Sequence, residues 1–153
     1  MFTEQDHSHM RAAMEEANKA ARAGEVPIGA VLVDCARGEI VARAGNATIA
    51  KSDPTAHAEI AVIRARCAEV QAQRIPDHDL YVTLEPCAMC AAAIAFARIR
   101  RLVFAAPDPK GGGVLHGGKF YEQPTCHHKI AVEHGILADE AGDLLRSFFK
   151  ERR

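Results

Sequence analysis

Apolar residues recur at helical spacing through residues 4–23, where Met10, Ala13, Met14, Ala17 and Ala21 form one stripe and Gly24 is placed to end it. The pattern predicts an amphipathic helix. Ile28 to Val33 is a short apolar run rich in β-branched residues, Asp34 to Gly38 reads as a turn, and Ile40 to Asn46 completes a hairpin. Helical periodicity returns from Thr55 to about Gln71, with Ile60, Ile63 and Cys67 on one face. Leu80 to Leu84 has the composition of a buried strand. Ala88 to Ala97 predicts an Ala-rich helix, Leu102 to Ala105 a further strand, and Ile130 to Val132 a last short one. A closing helix presents Leu144, Leu145, Phe148 and Phe149 as its buried face. Residues 107–128 carry Gly111-Gly112-Gly113, Gly117-Gly118 and prolines, which predicts a long loop or a broken helix. A loop of that length inside a domain is more often functional than idle. Strands alternating with helices after the hairpin argue for an α/β fold with a mixed sheet.

The length of 153 residues suits one domain, 1–153, and the composition of 48% hydrophobic and 25% charged residues excludes a disordered or collagenous chain. A net charge of -1 excludes a generally basic nucleic-acid coat. The charge is unevenly placed, however. Residues 1–97 hold 9 Lys/Arg against 13 Asp/Glu, and residues 98–153 hold 10 against 7, so a polyanion should meet the C-terminal third. No apolar run approaches the roughly 18 residues that span a bilayer. The polar, acidic start Met1-Phe2-Thr3-Glu4-Gln5-Asp6-His7 is unlike a signal or transit peptide, so a cytoplasmic protein with no membrane partner is expected. Five cysteines make a secreted disulfide framework a poor fit. In a reducing compartment Cys-x-x-Cys points to metal or redox chemistry instead.

Two segments carry that chemistry: His57-Ala58-Glu59 and Pro86-Cys87-Ala88-Met89-Cys90, each opening a predicted helix. The spacing of Cys87 and Cys90 puts both sulfurs on one helical face, where they can share a metal. The helix N-terminus favours the thiolates such binding requires. His57 can add an imidazole from a second helix. One His and two Cys make a soft donor set suited to Zn²⁺, and three protein ligands leave a fourth position for water. Glu59, two residues from His57, is poorly spaced to bind the same ion from the same helix. It is well placed to move protons between water and a substrate. Two other readings stand beside this one: a redox Cys-x-x-Cys, and a structural zinc knot with Cys126, His127 or His128 as fourth ligand. Cys35 and Cys67 read as small buried hydrophobes.

H-x-E followed by P-C-x-x-C is the known signature of zinc-dependent deaminases. Beyond it, Glu25-Val26-Pro27-Ile28-Gly29-Ala30-Val31, Gly45-Asn46, Asp53 to Glu59 and Tyr81 to Cys87 resemble the bacterial tRNA-specific adenosine deaminases. So do Ala97-Arg98-Ile99, Asp108-Pro109-Lys110 and Gly135-Ile136-Leu137-Ala138. The resemblance covers residues 8 to 152. It implies a three-layer α/β/α cytidine-deaminase-like fold with a five-stranded mixed sheet, and a homodimer. It implies one Zn²⁺ per chain on His57, Cys87 and Cys90, with Glu59 as proton shuttle. Asn46 would read the base, Val26, Pro27 and Ile28 would wall the pocket, and the Ala58 N–H would face the exocyclic position. The expected reaction is adenosine to inosine at the wobble position of an arginine tRNA anticodon loop. Arg98, Arg100, Arg101, Lys110, Lys150, Arg152 and Arg153 are candidate phosphate contacts. The chain departs from the family at His127-His128-Lys129, where many members have Asn-His-Arg, and in Val114 to Tyr121. This leaves a free-base deaminase, of guanine or cytosine, as a competing reading, and a non-catalytic zinc-binding RNA subunit as a third.

Overall fold

Helix α1 (Glu4–Arg22) begins at Thr3, whose hydroxyl accepts from the Asp6 N–H while the Asp6 carboxylate accepts from the Thr3 N–H. That reciprocal cap satisfies two amide donors the helix leaves open. Strands β1 (Gly29–Asp34) and β2 (Glu39–Gly45) then form the expected hairpin. Helix α2 (Ala58–Val70), β3 (His78–Leu84), α3 (Ala88–Phe96), β4 (Arg101–Ala106), β5 (Ala131–His134) and α4 (Ala138–Glu151) follow. The computed structural model describes residues 1–152, so Arg153 lies outside the described residues.

The five strands form one sheet in the order β2-β1-β3-β4-β5. β1 is antiparallel to both β2 and β3, whereas β3, β4 and β5 run parallel. Period-two alternation sorts the side chains onto two faces. Ala30, Leu32, Leu80, Val82, Leu102 and Phe104 pack against Ala58 and Val62 of α2 and Ala91 and Ile94 of α3. Val31, Val33, Tyr81, Val103 and Ala105 pack against Met10, Ala13 and Met14 of α1 and Ala141 of α4. Helices therefore cover both faces, which gives the three layers and explains why β1, β3 and β4 are buried along nearly their whole length. Because β3 and β4 are parallel, their C-terminal ends open on the same edge of the sheet, and α3 starts there.

The differences from the sequence reading have local causes. α2 starts at Ala58 rather than Thr55, because the Asp53 carboxylate accepts from Thr55 N at 2.8 Å and Thr55 Oγ1 at 2.7 Å. That local turn competes with helix formation and leaves His57 as the cap. On α4, Ala141 and Phe148 are buried, whereas Phe149 is 44% exposed and not part of the buried face. Cys35 and Cys67 are only half-buried. The segment after β4 carries a 3₁₀ turn at Phe120–Glu122, and the Tyr121 hydroxyl donates to the Ala91 carbonyl at 2.9 Å, strapping the segment to α3. Among the described residues, no helix is long and apolar enough to cross a membrane.

Candidate metal centre and active site

His57 is the N-cap of α2 and Cys87 the N-cap of α3, both in extended backbone, and Cys90 sits in the first turn of α3. Neither cap side chain bonds its own helix, so both turn toward each other. The donor atoms of His57, Cys87 and Cys90 all lie within 4.8 Å of one another. His57 Nδ1 is the inward nitrogen, 3.4 Å from Cys90 Sγ and 3.7 Å from Cys87 Sγ. The neighbouring Cys90 thiol and the Cys90 and Met89 amides pull Cys87 down to about 5 against the effect of burial, and Cys87 together with burial pushes Cys90 up. An imidazole and two sulfurs with one direction left open fit zinc in an open tetrahedral site. The four-ligand knot is not assembled: the Cys126 thiol donates to the His128 carbonyl at 3.4 Å, and His128 Nε2 lies 2.6 Å from the Ile99 carbonyl.

Glu59 is the second residue of α2 and is 4% exposed. Burial pushes its carboxyl up to about 7, where it can take and release a proton near neutral pH. In front of it lies a pocket of about 230 Å³ lined by Val26, Ile28, Asn46, Thr48, His57, Ala58 and Glu59. Sites for drug-sized ligands run to roughly 300–1,000 Å³, so this pocket suits one ring system. Asn46, Ala58, Val26 and Ile28 are thus brought together with His57 and Glu59, while Pro27 is buried beside the wall without lining it. The Asn46 N–H donates to the Ile28 carbonyl at 2.9 Å, which ties the end of β2 to that wall. Thr48 was not foreseen, although it follows Asn46 by two positions on the way to α2. Buried Glu25 fixes that connection by accepting from Ile49 N at 3.1 Å and Ala50 N at 2.8 Å.

A groove of about 1020 Å³ shares Val26 and Ile28 with the pocket and runs past Leu84, Asp108 and Lys110 to Leu145, Arg146, Phe149 and Lys150 of α4. Lys110 and Lys150, both foreseen, stand on it, and Arg146 joins them. Of the other foreseen cations, Arg153 lies outside the described residues, and the rest lie elsewhere or are engaged. Arg98 donates to the Ala95 carbonyl at 2.9 Å, and Arg152 lies 3.6 Å from the Phe148 ring centroid. Arg101 begins β4 and Arg100 immediately precedes it, at the end of the sheet opposite the cysteines. Arg100 forks onto Asp79 at 2.9 and 2.7 Å. Arg101 donates to Asp6 at 2.9 Å, to the Tyr81 hydroxyl at 3.1 Å and to Glu133 at 2.7 Å, and its side chain is only 17% exposed. Adjacent arginines at a strand start read as a basic patch in sequence, but carboxylates from α1, β3 and β5 neutralise them. Glu85 was also missed. Burial alone would raise its carboxyl, yet hydrogen bonds from Asp108, His116, Leu115 and Val114 hold it below the usual carboxylate range.

Residues 3–106 match the family described as the cytidine and deoxycytidylate deaminase zinc-binding region. The chain is 56% identical over 144 residues to the tRNA-specific adenosine deaminase of Agrobacterium fabrum, covering 94% of this chain and 93% of that one. It is 46% identical over 151 residues to the tRNA-specific adenosine deaminase of Haemophilus influenzae, covering 99% and 87%. A structure solved in work on A-to-I editing by tRNA:A34 deaminases at the wobble position superposes with a TM-score of 0.87 at 54% identity, over 90% of this chain and 99% of that one. A guanine deaminase from Nitrosomonas europaea shares the fold, with a TM-score of 0.81 at 23% identity over 93% of this chain and 83% of its own. By sequence and by fold alike, the chain belongs to the cytidine and deoxycytidylate deaminase family, and within it to the tRNA-specific adenosine deaminases.

Proposed function

We propose that the chain, acting as one domain over residues 1–153, hydrolyses adenosine to inosine at the wobble position of a tRNA anticodon, an arginine tRNA in particular. The observation that carries the reading is the buried Glu59 carboxyl lining a pocket sized for one ring system, beside the His57, Cys87 and Cys90 donors. Zinc held by those three residues would supply a Lewis acid that brings the pKa of a water down to about 7. Glu59 takes the proton of the water that adds to C6 of adenine and delivers it to ring N1. It then carries the proton of the newly added C6 hydroxyl to the C6 amino group, which leaves as ammonia as the C6–N bond breaks and the carbonyl forms. Asn46 orients the base through its side-chain amide, and the apolar wall of Val26 and Ile28 excludes bulk water. Anticodon bases are already unpaired and cost little to splay into such a pocket. The groove that leaves the pocket carries Lys110, Arg146 and Lys150, which suits the phosphates of flanking nucleotides.

The active form is a homodimer in the cytoplasm. Phe96, 71% exposed at the end of α3, and the small side chains of that helix supply an apolar surface for a second copy. Sedimentation at working concentration tests it, since a monomer with full activity on RNA would refute the dimer. The function itself is tested by offering an arginine anticodon stem-loop with adenosine at the wobble position, alongside free guanine, cytosine and adenine. Inosine in the stem-loop is expected. Ammonia release from a free base with the stem-loop untouched would overturn the reading.

A further inference from the structure

Glu85 lies two residues before Cys87 and takes no part in the proton transfers assigned to Glu59, yet its side chain is wholly enclosed. Buried carboxylates need partners, and Glu85 collects five. One oxygen accepts from Asp108 N at 3.0 Å and faces His116 Nδ1 at 2.8 Å. The other accepts from the backbone N–H groups of Val114, Leu115 and His116 at 3.2, 2.9 and 3.2 Å. Three successive amides converging on one oxygen form an anion nest, here filled by the protein's own side chain.

The loop gathered in this way spans two functional regions. At one end Gly113 N donates to the Pro86 carbonyl at 2.8 Å, and a Cβ on Gly113 would come within 2.7 Å of Ala88 N, so the loop lies directly on the first turn of α3. At the other end Asp108 and Lys110 stand on the groove. Gly112 passes so close to Glu85 that a Cβ there would collide with the carboxylate oxygen. A glutamine could not replace the carboxylate. Turned either way, its NH₂ would face Asp108 N or the three amides of 114–116 and leave buried donors without an acceptor.

We infer that Glu85 is a positioning residue whose carboxylate gathers the 108–116 loop onto the first turn of α3 and thereby holds the Asp108–Lys110 wall of the substrate groove. The inference rests on the reading of that groove as the surface for nucleotides flanking the target base. The test compares Glu85→Gln, Gly112→Ala and His116→Ala with the wild type for zinc content, for amide hydrogen exchange at 114–116, and for kcat and KM on the wobble-adenosine stem-loop. Both Glu85→Gln and Gly112→Ala should keep one zinc per chain, exchange the 114–116 amides at least tenfold faster, and raise KM at least tenfold with kcat changed less than threefold. His116→Ala removes one bond of five from a side chain that is 34% exposed, so it leaves the core closed and should shift KM in the same direction by less. If Glu85→Gln does not fold, the other two variants decide. Unchanged exchange at 114–116 would overturn the inference, as would a fall in kcat at constant KM or loss of zinc in both loop variants. A wild type that leaves the stem-loop untouched would count against the functional reading instead, and the exchange rates would then decide the positioning role on their own.

Discussion

Arg101 reaches across the sheet edge to Asp6, Nη1 to Oδ1 at 2.9 Å, and joins the start of β4 to the first turn of α1. The same Asp6 accepts from the Tyr81 hydroxyl at 2.6 Å and from Thr3 N at 2.9 Å. A carboxylate so enclosed depends on its partner. Arg101→Met should cost about 3–5 kcal/mol by leaving the buried Asp6 carboxylate without its cation, read as a fall in the urea midpoint. The salt dependence of RNA binding should stay unchanged, because this guanidinium is turned inward.

Acid should find the same pair. Burial would raise Asp6, but the hydrogen bonds from Arg101, Tyr81 and Thr3 prevail and hold it well below the usual carboxylate range. A depressed native pKa gives stability that is complete above the unfolded value of about 3.9 and is lost as pH falls below it. Urea midpoints followed from pH 7 to pH 3 should therefore drop in the wild type. The drop should be shallower in Asp6→Asn, which starts less stable and has no proton to take up at this position.

Glu59→Gln keeps the volume and the hydrogen bonds of the side chain and loses only the proton. Zinc should stay bound, and turnover should fall 10²–10⁴-fold or more, since one group serves several transfers. A variant that retains a tenth of the wild-type rate would show that Glu59 is not the shuttle.

Cys87→Ala removes a donor from a three-residue set. Metal analysis should find less than one zinc per chain, and the melting temperature should fall, because metal binding is coupled to folding. A strong chelator should lower the wild-type melting temperature in the same direction.

Charge removal should separate groove cations from structural ones. Lys110→Ala or Lys150→Ala should weaken stem-loop binding and reduce the slope of log K against log salt by about 1. Arg100→Ala, whose charge is matched by Asp79, should leave that slope as it is. Equal slopes for all three would remove the groove as the path of the RNA.

Much of this arrangement was legible in the chain. Every strand and helix of the sheet layers was marked by period and composition, and His57, Glu59, Cys87 and Cys90 were marked by spacing. What was hidden depended on contacts between distant segments. Nothing local to Arg101 announces Asp6, 95 positions earlier, or Glu133. Glu85 looks like one more surface carboxylate until the 108–116 loop folds over it. Phe149 follows the apolar stripe of α4, yet the helix meets the sheet along Ala141 and Phe148 and leaves Phe149 on the groove.

The mixed direction of the sheet has a consequence in time. β1 and β2 pair across a short turn, whereas β3 and β4 pair only after the chain has crossed over through α3. Local hairpins close in roughly microseconds, and parallel strands separated by a crossover come together later. His57 and Glu59 follow the hairpin, and both cysteines lie in the crossover. The reacting groups therefore straddle the seam between the early and late halves. A nascent chain that has emerged only as far as β3 already owns its base and its imidazole, and it becomes an enzyme only when the second half of the sheet docks beside the first.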